Sequence, residues 1–121
     1  MKKRILVVED DWSFASAVRD LLDLLGYEVV GPYRTLDEAF VVARQERLNG
    51  ALLDINVGAK TVYPLAEYLT QSGLPLLLMS GLGDVLSPKI GMKWRCLSKA
   101  ALVGKLDAEL DVMLADGRQP G

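Results

Sequence analysis

The residues of this sequence that could do chemistry are carboxylates that directly follow short apolar runs. Glu9-Asp10-Asp11 follows the run from Ile5 to Val8, and Asp54 follows Ala51-Leu52-Leu53. An aspartate can serve as a nucleophile and form an acyl phosphate. Clustered carboxylate oxygens suit Mg²⁺, which keeps several waters and binds through one or two carboxylates plus a phosphate. The pattern therefore predicts that Asp54 accepts a phosphoryl group beside a bound divalent cation.

The composition narrows the possible chemistry, because the 121 residues include no histidine. This excludes Ser-His-Asp and Cys-His catalytic sets, histidine metal ligands and a phosphohistidine donor role. The length is typical of one domain. The net charge is −2, and no basic stripe indicates binding to nucleic acid. Cys96 cannot form an internal disulfide. The apolar stretch Leu74–Met79 is too short to span a bilayer. The basic residues Lys2, Lys3 and Arg4 precede an apolar run that ends at Val8, which is too short for an export segment. We therefore expect a cytoplasmic protein.

Short apolar runs alternate with segments of helical periodicity along the whole chain. The predicted strands are Arg4 to Val8, Glu28 to Gly31, Gly50 to Leu53, Pro75 to Met79 and Trp94 to Leu97. The predicted helices carry Phe14, Val18, Leu21, Leu22 and Leu25; Ala39, Phe40 and Ala43; Val62, Leu65, Ala66 and Leu69; and Leu102, Leu106, Leu110 and Met113. Strands that alternate with helices pair in parallel through right-handed crossovers. We therefore predict an α/β fold, a flavodoxin-like doubly wound sheet of five parallel strands in the order 2-1-3-4-5.

Local signals mark where the elements begin and end. Gly26 and Gly73 are placed to end the first and third helices, and Thr35 with Glu38 forms a capping box before the second. Two glycines and a proline interrupt residues 82–93, so the fourth helix is expected to be short or irregular. The last helix is expected from about residue 100 to 115. We expect one domain over residues 1–116 and a linker-like tail over residues 117–121.

Parallel strands bring their carboxyl ends to one edge of the sheet, where ligands bind at the point at which strand order reverses. Glu9, Asp10 and Asp54 follow the first and third strands, which are neighbours in the predicted order. Ser80 follows the fourth strand and Lys99 the fifth. Close carboxylates repel one another unless a cation lies among them, and lysine suits a phosphate oxygen. Asp11 is expected to cap the first helix instead.

A dinucleotide site is the common alternative for such a sheet. It requires glycines after the first strand, where backbone amides receive the pyrophosphate. Here that turn holds Glu9-Asp10-Asp11, which would repel a pyrophosphate, and the Gly81-Leu-Gly83 pair follows the wrong strand.

The chain resembles a response-regulator receiver domain over essentially its whole length. The resemblance is carried by Ile5-Leu-Val-Val-Glu-Asp-Asp11, Leu52-Leu-Asp-Ile-Asn56, Met79-Ser-Gly81 and Leu97-Ser-Lys99. The stretch from Asp54 to Glu67 is also similar to a narrower group of bacterial stand-alone receivers. The resemblance implies a single-domain regulator of a two-component system.

The resemblance also implies a role for each residue of the site. Asp54 is the implied phosphoacceptor. The implied ligands of Mg²⁺ (or Mn²⁺) are Glu9, partly through water, Asp10, Asp54 and the backbone carbonyl of Asn56. Lys99 would pair with the phosphoryl oxygens, and Ser80 would hydrogen-bond the phosphorylated state. The phosphoryl group would come from a histidine on a partner kinase or phosphotransfer protein, and phosphorylation would bias contacts with a downstream protein.

Two positions depart from the family pattern, and they leave a second hypothesis open. Ala100 stands where the family usually has proline, and Cys96 stands where it often has tyrosine or phenylalanine. These departures and the poorly encoded fourth helix motivate a pseudo-receiver, which would bind partners without phosphorylation. A phosphatase or phosphotransferase with an aspartyl nucleophile commonly has a second acid two residues later, where this chain has Asn56. We therefore expect no enzyme beyond self-phosphorylation and autodephosphorylation at Asp54.

Overall fold

The protein, described here by a computed structural model over residues 1–81 and 93–117, contains one parallel sheet between two layers of helices. The main strands are Arg4–Val8 (β1), Glu28–Tyr33 (β2), Gly50–Asp54 (β3), Leu76–Ser80 (β6) and Arg95–Ser98 (β7), and a small hairpin comprises Asn56–Val57 (β4) and Lys60–Thr61 (β5). The helices are Trp12–Leu24 (α1), Leu36–Gln45 (α2), Tyr63–Gln71 (α3) and Lys99–Gly117 (α4). No helix within these described ranges has both the length and the apolar character needed to cross a membrane.

The five main strands lie in the order β2-β1-β3-β6-β7, and every neighbouring pair is parallel. This confirms the predicted order 2-1-3-4-5 and the flavodoxin-like fold class. Alternate residues of the central strands point to opposite faces, and each face has its own apolar core. Helices α2 and α3 cover the face that carries Leu6, Leu53 and Leu78. Helices α1 and α4 cover the face that carries Leu52 and Met79.

Strand β2 is two residues longer than its apolar run predicts. The pairing of β1 with β2 is irregular between Leu6 and Val8, and the strand continues to Tyr33. Gly31 has a φ of +108°, and a Cβ atom there would lie 2.8 Å from the Val7 carbonyl oxygen. Only glycine permits this close approach of two backbones, so the bend depends on that residue.

The loop after β3 differs most from the sequence prediction. It forms the antiparallel hairpin β4–β5, in which Asn56 pairs with Thr61 and Val57 with Lys60. Two-residue strands have too few positions to show an alternating pattern, so periodicity could not reveal them. Helix α4 begins at Lys99 itself and continues through Gly117. The short or irregular helix predicted between the fourth and fifth main strands lies outside the described residues.

The two tryptophans, which the sequence does not distinguish, have different environments. Trp94 is 9% exposed, and its ring stacks on Tyr63 with centroids 6.1 Å apart. Its indole N–H donates a hydrogen bond of 2.9 Å to the Thr70 hydroxyl. Trp12 is 72% exposed at the start of α1. Trp94 therefore belongs to the core, whereas Trp12 lies on the surface.

Candidate phosphoryl-acceptor site

Three carboxylates meet at the carboxyl edge of the sheet because β1 and β3 are adjacent. Val8 pairs with Leu53, so the residues that follow each of them lie side by side. Glu9, Asp10 and Asp54 each present an oxygen atom, and these oxygens lie within 4.8 Å of one another. The structure thus brings together the three acids that the sequence places at neighbouring strand ends.

Two of these acids are buried, which makes their mutual repulsion costly. Glu9 is completely buried and Asp54 is 4% exposed. The Glu9 Oε2 atom accepts a hydrogen bond of 2.9 Å from the Asp11 N–H, and Asp54 Oδ1 accepts one of 3.3 Å from the Asn56 N–H. Charged groups are rarely buried unless they are paired or bind a metal. The charge of these buried acids must therefore be offset, either by a cation or by protonation.

Lys99 supplies one such cation. Its Nζ atom lies 2.7 Å from Glu9 Oε1 and 3.3 Å from Asp54 Oδ2, and its side chain is 20% exposed. The ammonium group also lies 5.0 Å from the centre of the Phe14 ring, a distance at which cations interact favourably with aromatic faces. Lys99 thus bridges the two buried acids.

Lys99 reaches the acids without the proline that the family usually has after it. Among the described residues the only cis peptide bond is Gly31–Pro32, so the Lys99–Ala100 bond is trans. The Ser98 hydroxyl accepts a hydrogen bond of 3.2 Å from the Ala101 N–H at the start of α4. A capped helix that begins at the lysine therefore directs it toward the site.

The burial of the acids changes how the site titrates. Burial, together with the hydrogen bond and charge of Glu9, raises the pKa of Asp54 to about 7, although Lys99 acts in the opposite direction. Burial acts to lower the pKa of Lys99, but its contacts with Glu9 and Asp54 outweigh this and raise it. Asp54 is therefore partly protonated near neutral pH until a further cation enters.

The donor set fits a hard divalent cation. All three side chains are carboxylates, and Mg²⁺ prefers such oxygen ligands. The Glu9 Oε1 atom is buried, and the ion pair with Lys99 at 2.7 Å is what offsets its charge. One acid, Asp10, remains partly exposed, which leaves the cluster open on one side. These residues could hold Mg²⁺ or Mn²⁺.

The other predicted residues lie around this cluster. Ser80 is 9% exposed at the end of β6, one residue beyond Met79, which pairs with Asp54. Its hydroxyl has a long contact of 3.5 Å with the Leu97 carbonyl oxygen and is therefore weakly held. Asn56 is exposed in β4, immediately beyond the site. Asp11 caps α1 by accepting hydrogen bonds from the Ser13 and Phe14 N–H groups, as predicted.

Sequence reasoning missed Gly58 in the hairpin turn. Its N–H donates a hydrogen bond of 2.7 Å to Asp10 Oδ2. The sequence did show a glycine shortly after the third main strand, which is typical of a turn. The spacing of nearby residues cannot, however, reveal a contact between Gly58 and Asp10, which are 48 residues apart.

Comparison with known proteins places this arrangement in a family. A probable transcriptional regulator, ycf27, from Cyanophora paradoxa is 31% identical over 93 residues, which are 76% of this chain and 38% of that protein. The signal receiver domain of a modulated diguanylate cyclase from Desulfovibrio desulfuricans has a TM-score of 0.83 and 25% identity, covering 98% of both chains. The chain is a response-regulator receiver domain. No family model matches it.

Other solved structures share the fold of this receiver domain. A CheY-like receiver domain protein from Methanospirillum hungatei has a TM-score of 0.87 and 22% identity, with all of both chains covered. The receiver domain of a sensor histidine kinase from Pseudomonas aeruginosa has a TM-score of 0.81 and 17% identity, covering 95% of this chain and 99% of that one. That structure has a magnesium ion coordinated in its active-site cleft. This receiver domain spans 38% of the length of the ycf27 relative, so the regulation of transcription is a property of that longer protein.

The raised pKa of Asp54 predicts how stability depends on pH in the absence of divalent metal. The folded protein holds a proton on Asp54 up to about pH 7, whereas the ordinary pKa is 3.8. The folded state thus binds more protons between these values, and the free energy of unfolding falls as the pH rises through this window. We expect Asp54→Asn to remove this dependence. Because the pKa of Asp54 is raised from 3.8 to about 7, the free energy of unfolding of the variant should gain on the order of 4 kcal/mol relative to wild type between pH 4 and pH 8.

Urea unfolding in a chelator at the two pH values measures this gain. Asp107→Asn is the matched control, because Asp107 is exposed on α4. An equal pH effect of both substitutions on the free energy of unfolding would show that Asp54 is not the group responsible.

Proposed function

We propose that this receiver domain accepts a phosphoryl group on Asp54 from a phosphohistidine of a sensor histidine kinase or phosphotransfer protein, and that phosphorylation alters its contacts with a downstream protein. Membership of the receiver family supports phosphorylation-based signalling. The observation that carries the proposal is the bridging of Glu9 and Asp54 by Lys99, with Asp10 in the same cluster. A merely structural edge would not require buried carboxylates at such close range.

The chemistry follows from the positions of the side chains. A carboxylate oxygen of Asp54 forms a bond to phosphorus as the bond from phosphorus to the donor imidazole nitrogen breaks, and the imidazole keeps the electron pair. Mg²⁺ or Mn²⁺ held by Glu9, Asp10, Asp54 and the Asn56 carbonyl would neutralise charge on the transferred group. The protein itself supplies position and charge.

Lys99 and Ser80 are the residues that would respond to the new group. The Lys99 ammonium lies 3.3 Å from Asp54 Oδ2, so a phosphoryl group there would offer it further oxygens. The weakly held Ser80 hydroxyl could exchange its 3.5 Å contact with Leu97 for a phosphoryl oxygen. Such contacts favour one conformation of the strand ends over another and thereby shift a population. We propose no turnover of an external substrate, only uptake and autodephosphorylation at Asp54.

The proposal is tested by incubating the protein with acetyl phosphate and Mg²⁺ and measuring its intact mass. We expect the mass to rise by one phosphoryl group, and we expect a chelator to prevent the rise. Hydroxylamine should remove the group, because an acyl phosphate is a reactive anhydride. No gain in mass, or a label that resists hydroxylamine, would contradict phosphoryl uptake on a carboxylate and would favour the pseudo-receiver.

A further inference from the structure

The hairpin β4–β5 contacts the acid cluster through two backbone groups, the Asn56 N–H, which donates to Asp54, and the Gly58 N–H, which donates to Asp10. The Gly58 N–H donates its 2.7 Å hydrogen bond to Asp10 Oδ2, whereas Lys99 pairs with Glu9 and Asp54. Hydrogen bonds to an ionised acceptor are short and roughly twice as strong as neutral ones. Asp10 is therefore held by the Gly58 amide of the hairpin, whereas Lys99 pairs with the other two acids.

The hairpin turn has a fixed position because its base is anchored in the core. Ile55 and Val62, on either side of the hairpin, are 3% and 0% exposed. The Val62 N–H donates a hydrogen bond of 2.8 Å to the Ile55 carbonyl oxygen, which closes the base of the hairpin. Val57, next to the turn, is 4% exposed. These core contacts therefore hold the hairpin, and with it the Gly58 amide, in a fixed position.

Glycine at the turn is required for conformation and not for space. Gly58 has a φ of +63°, and a Cβ atom built there would meet no atom within 4 Å. Two-residue hairpin turns commonly need a positive φ, which β-branched residues rarely adopt. Replacing Gly58 by a β-branched residue would therefore change the direction of the amide without a steric clash.

We propose that Gly58 is a positioning residue of the metal site, whose amide fixes one oxygen of Asp10 so that the other faces the cation. This inference rests on the proposed function, since it assumes that Asp10 is a ligand. Partners that orient metal ligands typically contribute 10- to 100-fold in metal affinity. The hairpin is then part of the phosphorylation site, although none of its own side chains needs to touch the cation.

The affinity for Mg²⁺, followed through amide resonances near Glu9 and Asp54, tests this inference without phosphorylation. We expect Gly58→Val to weaken Mg²⁺ binding by roughly 10-fold. Gly58→Asn should lie between this variant and wild type, because asparagine adopts a positive φ more readily. The matched control is Gly73→Val: Gly73 also has a positive φ, +79°, and open space at its Cβ, but it lies at the end of α3. We expect Gly73→Val to bind Mg²⁺ like wild type.

A double-mutant cycle separates positioning from a general loss of structure. If the Gly58 amide acts through Asp10, Gly58→Val should weaken Mg²⁺ binding in the wild type but have no further effect in an Asp10→Ala background. An unchanged or tighter affinity in Gly58→Val, or an equal loss in Gly73→Val, would overturn the inference and leave the proposed function standing. Failure of the wild-type protein to respond to Mg²⁺ would overturn the proposed function, and the inference with it.

Discussion

Asp54→Asn is expected to abolish phosphoryl uptake, with the rate of labelling by acetyl phosphate and Mg²⁺ falling by more than about 1,000-fold, as when an enzyme loses its nucleophile. The amide has nearly the shape of the carboxylate but is neutral and a poor nucleophile. It can still accept a hydrogen bond from the Asn56 N–H, which lies 3.3 Å from Asp54 Oδ1. The substitution thus removes the reacting atom and leaves the fold intact.

Asp11→Asn is the matched control for this loss. Asp11 lies at the same edge of the sheet, but its side chain caps α1. Asparagine is also a good cap, so this variant should be labelled at the wild-type rate. Circular dichroism would check that both variants are folded. If Asp54→Asn were labelled at the wild-type rate, another carboxylate would be the phosphoryl acceptor and the assignment of Asp54 would be wrong.

Lys99→Met is expected to lower the stability of the metal-free protein by about 2 to 3 kcal/mol. The substitution leaves Glu9, which is completely buried, without the ammonium group 2.7 Å away. Removing one partner of a buried pair costs about 3 to 5 kcal/mol, and we expect less here because the Lys99 side chain is 20% exposed. Methionine has a similar volume, so loss of charge is the main change.

Mg²⁺ should restore more stability to Lys99→Met than to wild type, because a bound cation would then be the main group that neutralises the acids. Urea unfolding with and without Mg²⁺ measures both effects. Lys105→Met is the control, since Lys105 is exposed on the same helix. Equal, small effects of the two substitutions on the free energy of unfolding would mean that Lys99 is only a solvated charge.

The fold of this receiver domain could be predicted largely from its sequence. Each central strand is buried on both faces and therefore appears as a continuous apolar run, such as Leu76–Ser80 or Gly50–Asp54. The glycines at the ends of α1 and α3 have positive φ values, +92° at Gly26 and +79° at Gly73, as their predicted end positions require. Boundaries were less exact, since β2 continues to Tyr33 through a bend that depends on a close backbone approach.

The acid cluster was also determined by the sequence, because strand order alone makes the residues after β1 and β3 neighbours. Periodicity reports which residues are buried and which element they form, and the parallel sheet then places their carboxyl ends together. The roles of Ser80 and Asn56 in the phosphorylated state remain predictions.

Contacts between distant side chains were decided only by the tertiary structure. The pairing of Lys99 with both Glu9 and Asp54, despite Ala100, depends on where α4 begins and how far the lysine reaches. The contact of Gly58 with Asp10 depends on a hairpin too short to leave a periodic signal. The position of Asp54, a carboxylate at the end of a strand, could thus be predicted from the sequence. Its raised pKa and its bridging lysine were not, because burial and charge act through space and not along the chain.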